Sequence, residues 1–215
     1  MKSAIKVLGV PDDINSSFMR GSSAAPPLIR EALYSASSNL FSESGLNLDQ
    51  KGIWEDLGDI EFAGQVAVEN FKKIKTFVKD VLVSDQKLVS LGGDHSVSWP
   101  ILDAHLDIWG TLDILHIDAH PDLYDSLLGN KLSHASPFAR IMETGRASRL
   151  VQVGIRTLNK HQREQAEKFG VEIYQMKDLT KLSSLSFSKP VYCSIDIDAL
   201  DPAYAGSKAS ISILQ

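Results

Sequence analysis

Three short stretches of this chain gather carboxylates and imidazoles: Gly92-Gly-Asp94-His95-Ser96, Asp118-Ala-His120-Pro-Asp122 and Asp196-Ile-Asp198. In the second, the apolar run Asp113-Ile-Leu-His-Ile leads straight into Asp118, His120 and Asp122 at alternate positions. Alternate residues of an extended segment project to one side, so the three side chains converge if strand geometry continues past the end of the run. Oxygen and imidazole donors together favour a divalent ion such as manganese over a thiolate-seeking one. The same triplet also reads as a strand followed by a polar turn with solvated acids, because short motifs arise by chance.

Asp196-Ile-Asp198 repeats the alternate spacing on a second strand, with Ile197 facing the other way, and this weighs against chance. Asp118, Asp122, Asp196 and Asp198 gathered without compensation would repel one another and lose hydration. Two divalent cations balance those four negative charges. His95 and His120, as neutral imidazoles, then complete two coordination sets without altering the balance. Such a pair lowers the pKa of a bound water and holds hydroxide at neutral pH, so hydrolysis is the reaction class to expect.

The elements that must position these residues follow from the apolar patterning. Strands are expected at 4–10, 52–58, 87–91, 113–118, 149–154, 171–174 and 190–198. Pro26-Pro27 opens a helix, and Ala67, Phe71, Ile74, Val78 and Leu82 share one face of another, with lysines on a solvated opposite side. A turn through Gly92-Gly93 leads into a helix start at Ser96. Further helices are expected over 133–145, with a serine cap, early proline and terminal glycine, and over 159–169, closed by Gly170. Residues 35–50, rich in Ser, Asn and Gly, form a surface loop. Strands alternating with helices predict an α/β fold of three layers, a mostly parallel sheet with helices on both faces. Ligand sites in such folds lie beyond the carboxyl ends of the strands, where all three stretches fall.

At 215 residues and 43% hydrophobic content the chain supports one domain with a substantial core. Its formal net charge of -5 argues against nucleic acid or an anionic membrane as partner, while a small cationic substrate is not disfavoured. The single cysteine, Cys193, lies in an apolar run and is expected to be a buried structural thiol. No run reaches the length of a membrane span, and a strand pattern begins too early for a signal peptide. A cytoplasmic location is expected, or a mitochondrial one if a leader is missing from this version.

The three stretches, the last extended to Ser194-Ile-Asp-Ile-Asp-Ala-Leu-Asp-Pro202, resemble the signatures of the ureohydrolase family, the arginases and agmatinases. Asn15-Ser-Ser-Phe, Tyr124-Asp, Gly129-Asn130-Lys, Ser133-His134-Ala-Ser-Pro-Phe-Ala-Arg-Ile-Met-Glu and Gln152-Val-Gly-Ile-Arg are similar to the plant-type arginase branch and its bacterial relatives. The resemblance implies two manganese ions, one held by His95, Asp118, Asp122 and Asp196 and the other by His120, Asp118, Asp196 and Asp198. It implies hydroxide attack on a guanidinium carbon, releasing urea and an amine to which Asp122 passes a proton. Arginine, giving ornithine, is the expected substrate, with agmatine, giving putrescine, as the alternative. His134 matches the family's proton-shuttle histidine, although position alone reads it as a helix-capping surface residue. Tyr124 and Asn130 are expected to touch substrate, Asp94 and Asp201 to support the site or its turns, His116 to be a buried structural residue, and His105 and His161 to lie on helix surfaces. Trimers or hexamers are the implied assembly.

Beyond Asp201-Pro-Ala-Tyr-Ala205 the family continues with further strands and helices and a glutamate motif that grips the guanidinium, whereas this sequence reads Gly206-Ser-Lys-Ala-Ser-Ile-Ser-Ile-Leu-Gln215. The expectation is an arginase-like unit over 1–205 lacking the final strands and helices, followed by a non-matching tail over 206–215, with an apolar sheet edge left open. An inactive metal-binding fragment that associates with intact subunits is the alternative to a working enzyme.

Overall fold

A computed structural model describes residues 5–64, 66–83, 87–205 and 212–214. The expected tail thus falls outside the described residues except at 212–214. Apolar β-branched runs form the central strands: β1 (Ile5–Val10), β3 (Lys87–Gly92), β4 (Leu112–Ile117), β5 (Ala147–Ile155) and β7 (Val191–Asp196). β2 (Trp54–Asp59) and β6 (Glu172–Gln175) are more polar and lie at the two outer edges. Strand order is β2-β1-β3 in one array and β6-β5-β4-β7-β8 in the other, and all pairings are parallel except that of β8 (Ser212–Leu214) with β7. β8 also runs beside β3.

Helices form where apolar residues recur every three or four positions. α2 (Ala67–Leu82) buries Phe71, Ile74, Val78 and Leu82, the expected face, with Ala67 half-buried at its start. α3 (Ser98–Trp109) answers it with Ile101, Leu102 and Leu106. Lys75 and Lys79 of α2 correct the expected solvated face, since both reach Asp107 of α3, and Lys75 also reaches Asp103. Arg146 closes the same acidic pair from the start of the β5 segment. α4 (Pro137–Glu143) contacts α3 and α5 (Lys160–Phe169), and these helices share one apolar core with Leu8, Val10, Ile114 and Leu150 of the sheet. α1 (Ala25–Leu33) starts with prolines in its first turn, as expected.

Two expectations are corrected here. The helix expected from Ser133 begins only at Pro137, because a turn closed by Ser136 N–H to Ser133 O occupies the preceding residues. Cys193 is half-buried: on β7 the inward set is Tyr192, Ser194 and Asp196, while Val191, Cys193 and Ile195 point to the more open face. Burial still pushes the Cys193 thiol pKa up, which keeps it unreactive.

Candidate metal centre

The site lies where β3, β4 and β7 end, beyond their carboxyl ends as open α/β sheets place it. After β3, Gly93 packs so tightly on the Asp12 backbone that a Cβ there would sit 2.0 Å from the Asp12 carbonyl oxygen, so only glycine fits. Asp94 then caps a short 3-10 turn by accepting from Ser96 N–H at 2.9 Å, and the turn delivers His95 inward.

Asp118, His120, Asp122 and Asp198 converge, but not by strand alternation. β4 stops at Ile117 and β7 at Asp196, so the side chains are aimed by turns. Asp118 accepts from His120 N–H at 2.6 Å, which curls the loop, and Asp122 sits at φ 47, turning its carboxylate back toward His95. Asp196 mirrors the first device by accepting from Asp198 N–H at 3.0 Å and heading the 3-10 turn Ile197–Ala199.

The result is two niches, with Asp118 facing the histidine of each. His95 Nδ1 lies 2.9 Å from Asp122 Oδ2, 3.2 Å from Asp118 Oδ2 and 3.4 Å from Asp196 Oδ2. His120 Nδ1 lies 2.9 Å from Asp198 Oδ2 and 3.5 Å from Asp118 Oδ1. His95 is 3% exposed, and its Nε2 pairs with Ser194 Oγ at 2.9 Å. The His120 side chain is 49% exposed. All six residues expected to bind metal therefore meet in these two niches.

The electrostatics are those of a site that attracts positive charge. Burial would depress the His95 pKa, but Asp118 and Asp122 raise it well above the usual imidazole value. Hydrogen bonds to Asp118 and Asp198 lift His120 to about 11. Burial, reinforced by the Asp118 charge, pushes Asp196 up to about 7. Asp118 is buried too, yet the histidines around it, His116 foremost, hold its carboxyl well below the ordinary range. Among the described residues His95 Nδ1 makes no geometrically sound hydrogen bond, despite three carboxylates within 3.4 Å. A buried imidazole nitrogen facing three carboxylate oxygens is, once deprotonated, a donor set for a divalent cation, so the residues fit the expected metal.

His134 lies in the turn before α4, half-buried, and its Nδ1 is 3.1 Å from the Asn15 carbonyl oxygen. It is not a helix cap. Asn15 is a hub: its Nδ2 donates to Ser96 Oγ, and its Oδ1 accepts from Asn130 Nδ2. Tyr124 is half-buried, with its hydroxyl on Asn159 and its ring stacked on His161 at 5.5 Å. Asp94 is buried and also accepts from Ser16 Oγ, whereas Asp201 caps the start of the α6 turn (Pro202–Ala205) through Ala203 N–H.

Of the remaining histidine expectations, that for His105 changes, while those for His116 and His161 hold with added contacts. His116 is fully buried as expected, but it is tied to the centre, with Nε2 2.8 Å from Asp118 Oδ2. His105 turns inward instead of lying on the surface: Nδ1 meets Ile101 O and the ring packs edge-on against Tyr192 at 5.2 Å, and burial lowers its pKa. His161 lies 3.2 Å from Asp125 as well as stacking on Tyr124, so it fixes the loop after Asp122. Asn15, Ser194, Gln152 and Arg156 carried no functional reading from residue type alone. Only their place in the resembling stretches singled out their surroundings.

The profile of the Arginase family matches residues 3–209. Arginase 1, mitochondrial, of Oryza sativa subsp. indica is 46% identical over 219 residues, covering 95% of this chain and 64% of that protein. The N(1)-aminopropylagmatine ureohydrolase of Thermus thermophilus is 36% identical over 208 residues, covering 93% of this chain and 69% of that protein. Among solved structures, the arginase from Medicago truncatula superposes with a TM-score of 0.85 at 42% identity, over 94% of this chain and 68% of that one. The chain thus spans 64% of the length of the rice relative.

Proposed function

The chain belongs to the Arginase family, and from that premise we propose that it is a dimanganese ureohydrolase domain that cleaves the guanidinium group of arginine into urea and ornithine. The observation that carries this is the placing of His95 and His120 on the two oxygens of one carboxylate, Asp118. Each niche then offers one imidazole and two or more carboxylate oxygens, the hard, mixed donor set that manganese takes.

In this reading His95, Asp118, Asp122 and Asp196 hold one ion, and His120, Asp118, Asp196 and Asp198 the other. When bound, the pair supplies a water-derived nucleophile at neutral pH and positive charge where the tetrahedral centre forms. The chain's own residues do the rest. Ser194 Oγ accepts from His95 Nε2–H, which keeps the Nδ1 lone pair facing the carboxylates. Asp122, its backbone turned at φ 47, presents its carboxylate to take up a proton and pass it to the leaving amine. His134 donates from Nδ1 to Asn15 O, so Nε2 is the nitrogen that takes up or releases protons to solvent. Asn130 and Tyr124, on the loop after Asp122, are the residues assigned to the remainder of the substrate. The net charge of -5 favours a cationic guanidino compound and disfavours nucleic acid and anionic membrane. Among the described residues no helix is long and apolar enough to cross a membrane.

Identity of 44–46% to plant arginases, against 36% to the aminopropylagmatine enzyme, favours arginine over agmatine. We assign the family's trimeric or hexameric assembly to the protein. The free thiol of Cys193 accords with a reducing compartment, cytoplasm or mitochondrion. Urea release from arginine, agmatine and guanidinobutyrate by manganese-loaded protein tests the reading. Arginine should give the fastest release, with ornithine in equal amount. Two bound manganese ions with no urea from any substrate would reduce this chain to a metal-binding fragment, and urea from agmatine alone would reassign the substrate.

A further inference from the structure

The Gln152-Val-Gly-Ile-Arg156 stretch of β5 supplies no metal ligand, yet its two polar ends grip both ligand-bearing turns. Gln152 is fully buried, and its Nε2 donates to the Pro121 carbonyl at 2.6 Å and to His116 Nδ1 at 3.0 Å. A proline carbonyl can only accept, so the amide nitrogen must face it, and His116 Nδ1 beside the same nitrogen must accept as well. That fixes His116 as the Nε2–H tautomer, and Nε2–H points at Asp118 Oδ2. Both imidazole nitrogens are thereby spent, so His116 is no metal ligand although it lies among ligand atoms.

Four residues on, Arg156 spreads its guanidinium over three backbone carbonyls, those of Asp198, Ala199 and Leu200. Its own N–H, with Thr157 N–H and Oγ1, converges on Ala119 O inside the other turn. Gly154 between them, at φ 92, makes the bulge that lets β5 serve both, and a Cβ there would come within 3.1 Å of Asp118 O. Gln152 Oε1 is buried and without a partner among the described residues. An unpaired buried amide oxygen costs stability, a cost that an apolar residue at a purely structural position would avoid.

We propose that Gln152 and Arg156 are positioning residues of the metal centre, Gln152 fixing the shared Asp118 and the approach to Asp122 through His116 and Pro121, and Arg156 fixing the turn that presents Asp198. This rests on the dimanganese reading. Its consequence is asymmetric. The Arg156 side chain governs one niche only, whereas Gln152 acts on Asp118, which faces the histidines of both.

The experiment is a manganese titration of chelator-treated protein, following free Mn2+ by electron paramagnetic resonance, beside the unfolding temperature of the metal-free form. Loss of an outer-sphere partner typically weakens metal binding about 10–100-fold. Arg156→Met should weaken one of the two binding steps by about tenfold or more and leave the other within about twofold, and Arg156→Lys, which reaches fewer carbonyls, should recover part of the loss. Gln152→Leu should weaken both steps, and nitrogen-15 spectra of its metal-free form should show His116 leaving the pure Nε2–H tautomer. A merely structural role would lower the unfolding temperature and leave the affinities of the folded protein unchanged. Unaltered affinities in folded Arg156→Met and Gln152→Leu would overturn the inference alone. Should Gln152→Leu not fold, Arg156→Met decides, because Arg156 is a surface residue whose replacement leaves no core cavity. Absence of manganese binding by the unaltered protein would overturn the dimanganese reading and this inference with it.

Discussion

The two histidine niches use the same chemistry in opposite surroundings. His95 is enclosed by Phe138, His116 and Ser194, with ring contacts at 5.4 and 5.1 Å, while His120 stands 49% exposed at the rim. Both face carboxylates at 2.9 Å. In the enclosed niche low dielectric magnifies every charge and fixes every rotamer, whereas at the rim solvent screens the same pair. The inner niche is built as part of the core, and the outer one as an attachment to it. Asp118 ties them because it reaches both, and it can do so only while His116 and the turn after β4 hold its plane.

The comparison breaks most completely at that link. Asp118→Asn should remove both metals at once, with manganese affinity falling more than about 100-fold at each step, since losing an outer-sphere partner alone costs about 10–100-fold. Metal counting after dialysis checks it, and one retained equivalent of manganese would show that the niches are independent. Next come the histidines themselves. His95→Ala opens a void in packed surroundings and should destabilise the metal-free fold by about 2–4 kcal/mol, more than His120→Ala at the rim, which leaves no core cavity and whose lost ion pair solvent screens. Denaturant unfolding of the two metal-free variants separates them, and equal losses would contradict the core-versus-rim contrast.

Much of this contrast could not be read from the chain. Strand positions, α2 and its buried face, the parallel sheet and all six members of the cluster were legible, because long apolar runs and Asp/His spacing are strong local signals. Their stated geometry was not: alternation of an extended chain was the expected device, and the actual one is a pair of Asp-capped turns after the strands end. Convergence survives that substitution because a capped turn and a strand end place i and i+2 near one another. The late start of α4 is not legible because Ser133 carries the same capping signal as Ser136, and the 133–136 turn, closed by Ser136 N–H to Ser133 O and held to Asn15 O through His134 N–H, chooses between them. Gln152 and Arg156 act through residues 31 to 44 positions away on other elements, and no spacing rule reports such partners.

A subtler test uses pH. In metal-free protein the folded pKa of His120 is about 11 and that of Asp196 about 7, each above its ordinary value. Groups with raised folded values stabilise the fold fully below their unfolded pKa and lose that contribution as pH rises through the folded one. Stability of the metal-free form should therefore decline from about pH 4 to 7 through Asp196, and again from about pH 6.5 to 11 through His120. Manganese loading at pH 7 should release protons, measurable by calorimetry in buffers of different ionisation enthalpy, and loading that releases none would contradict the proton-filled site. The smallest effect is expected of Ser194→Ala, which frees His95 Nε2 and should weaken only the inner manganese, by about tenfold.

The most direct test of two niches joined through Asp118 is a manganese titration of chelator-treated protein at pH 7. Two equivalents should bind in two resolvable steps, and Asp118→Asn should abolish both. A single equivalent at saturation, or two that persist in Asp118→Asn, would contradict a centre built on Asp118.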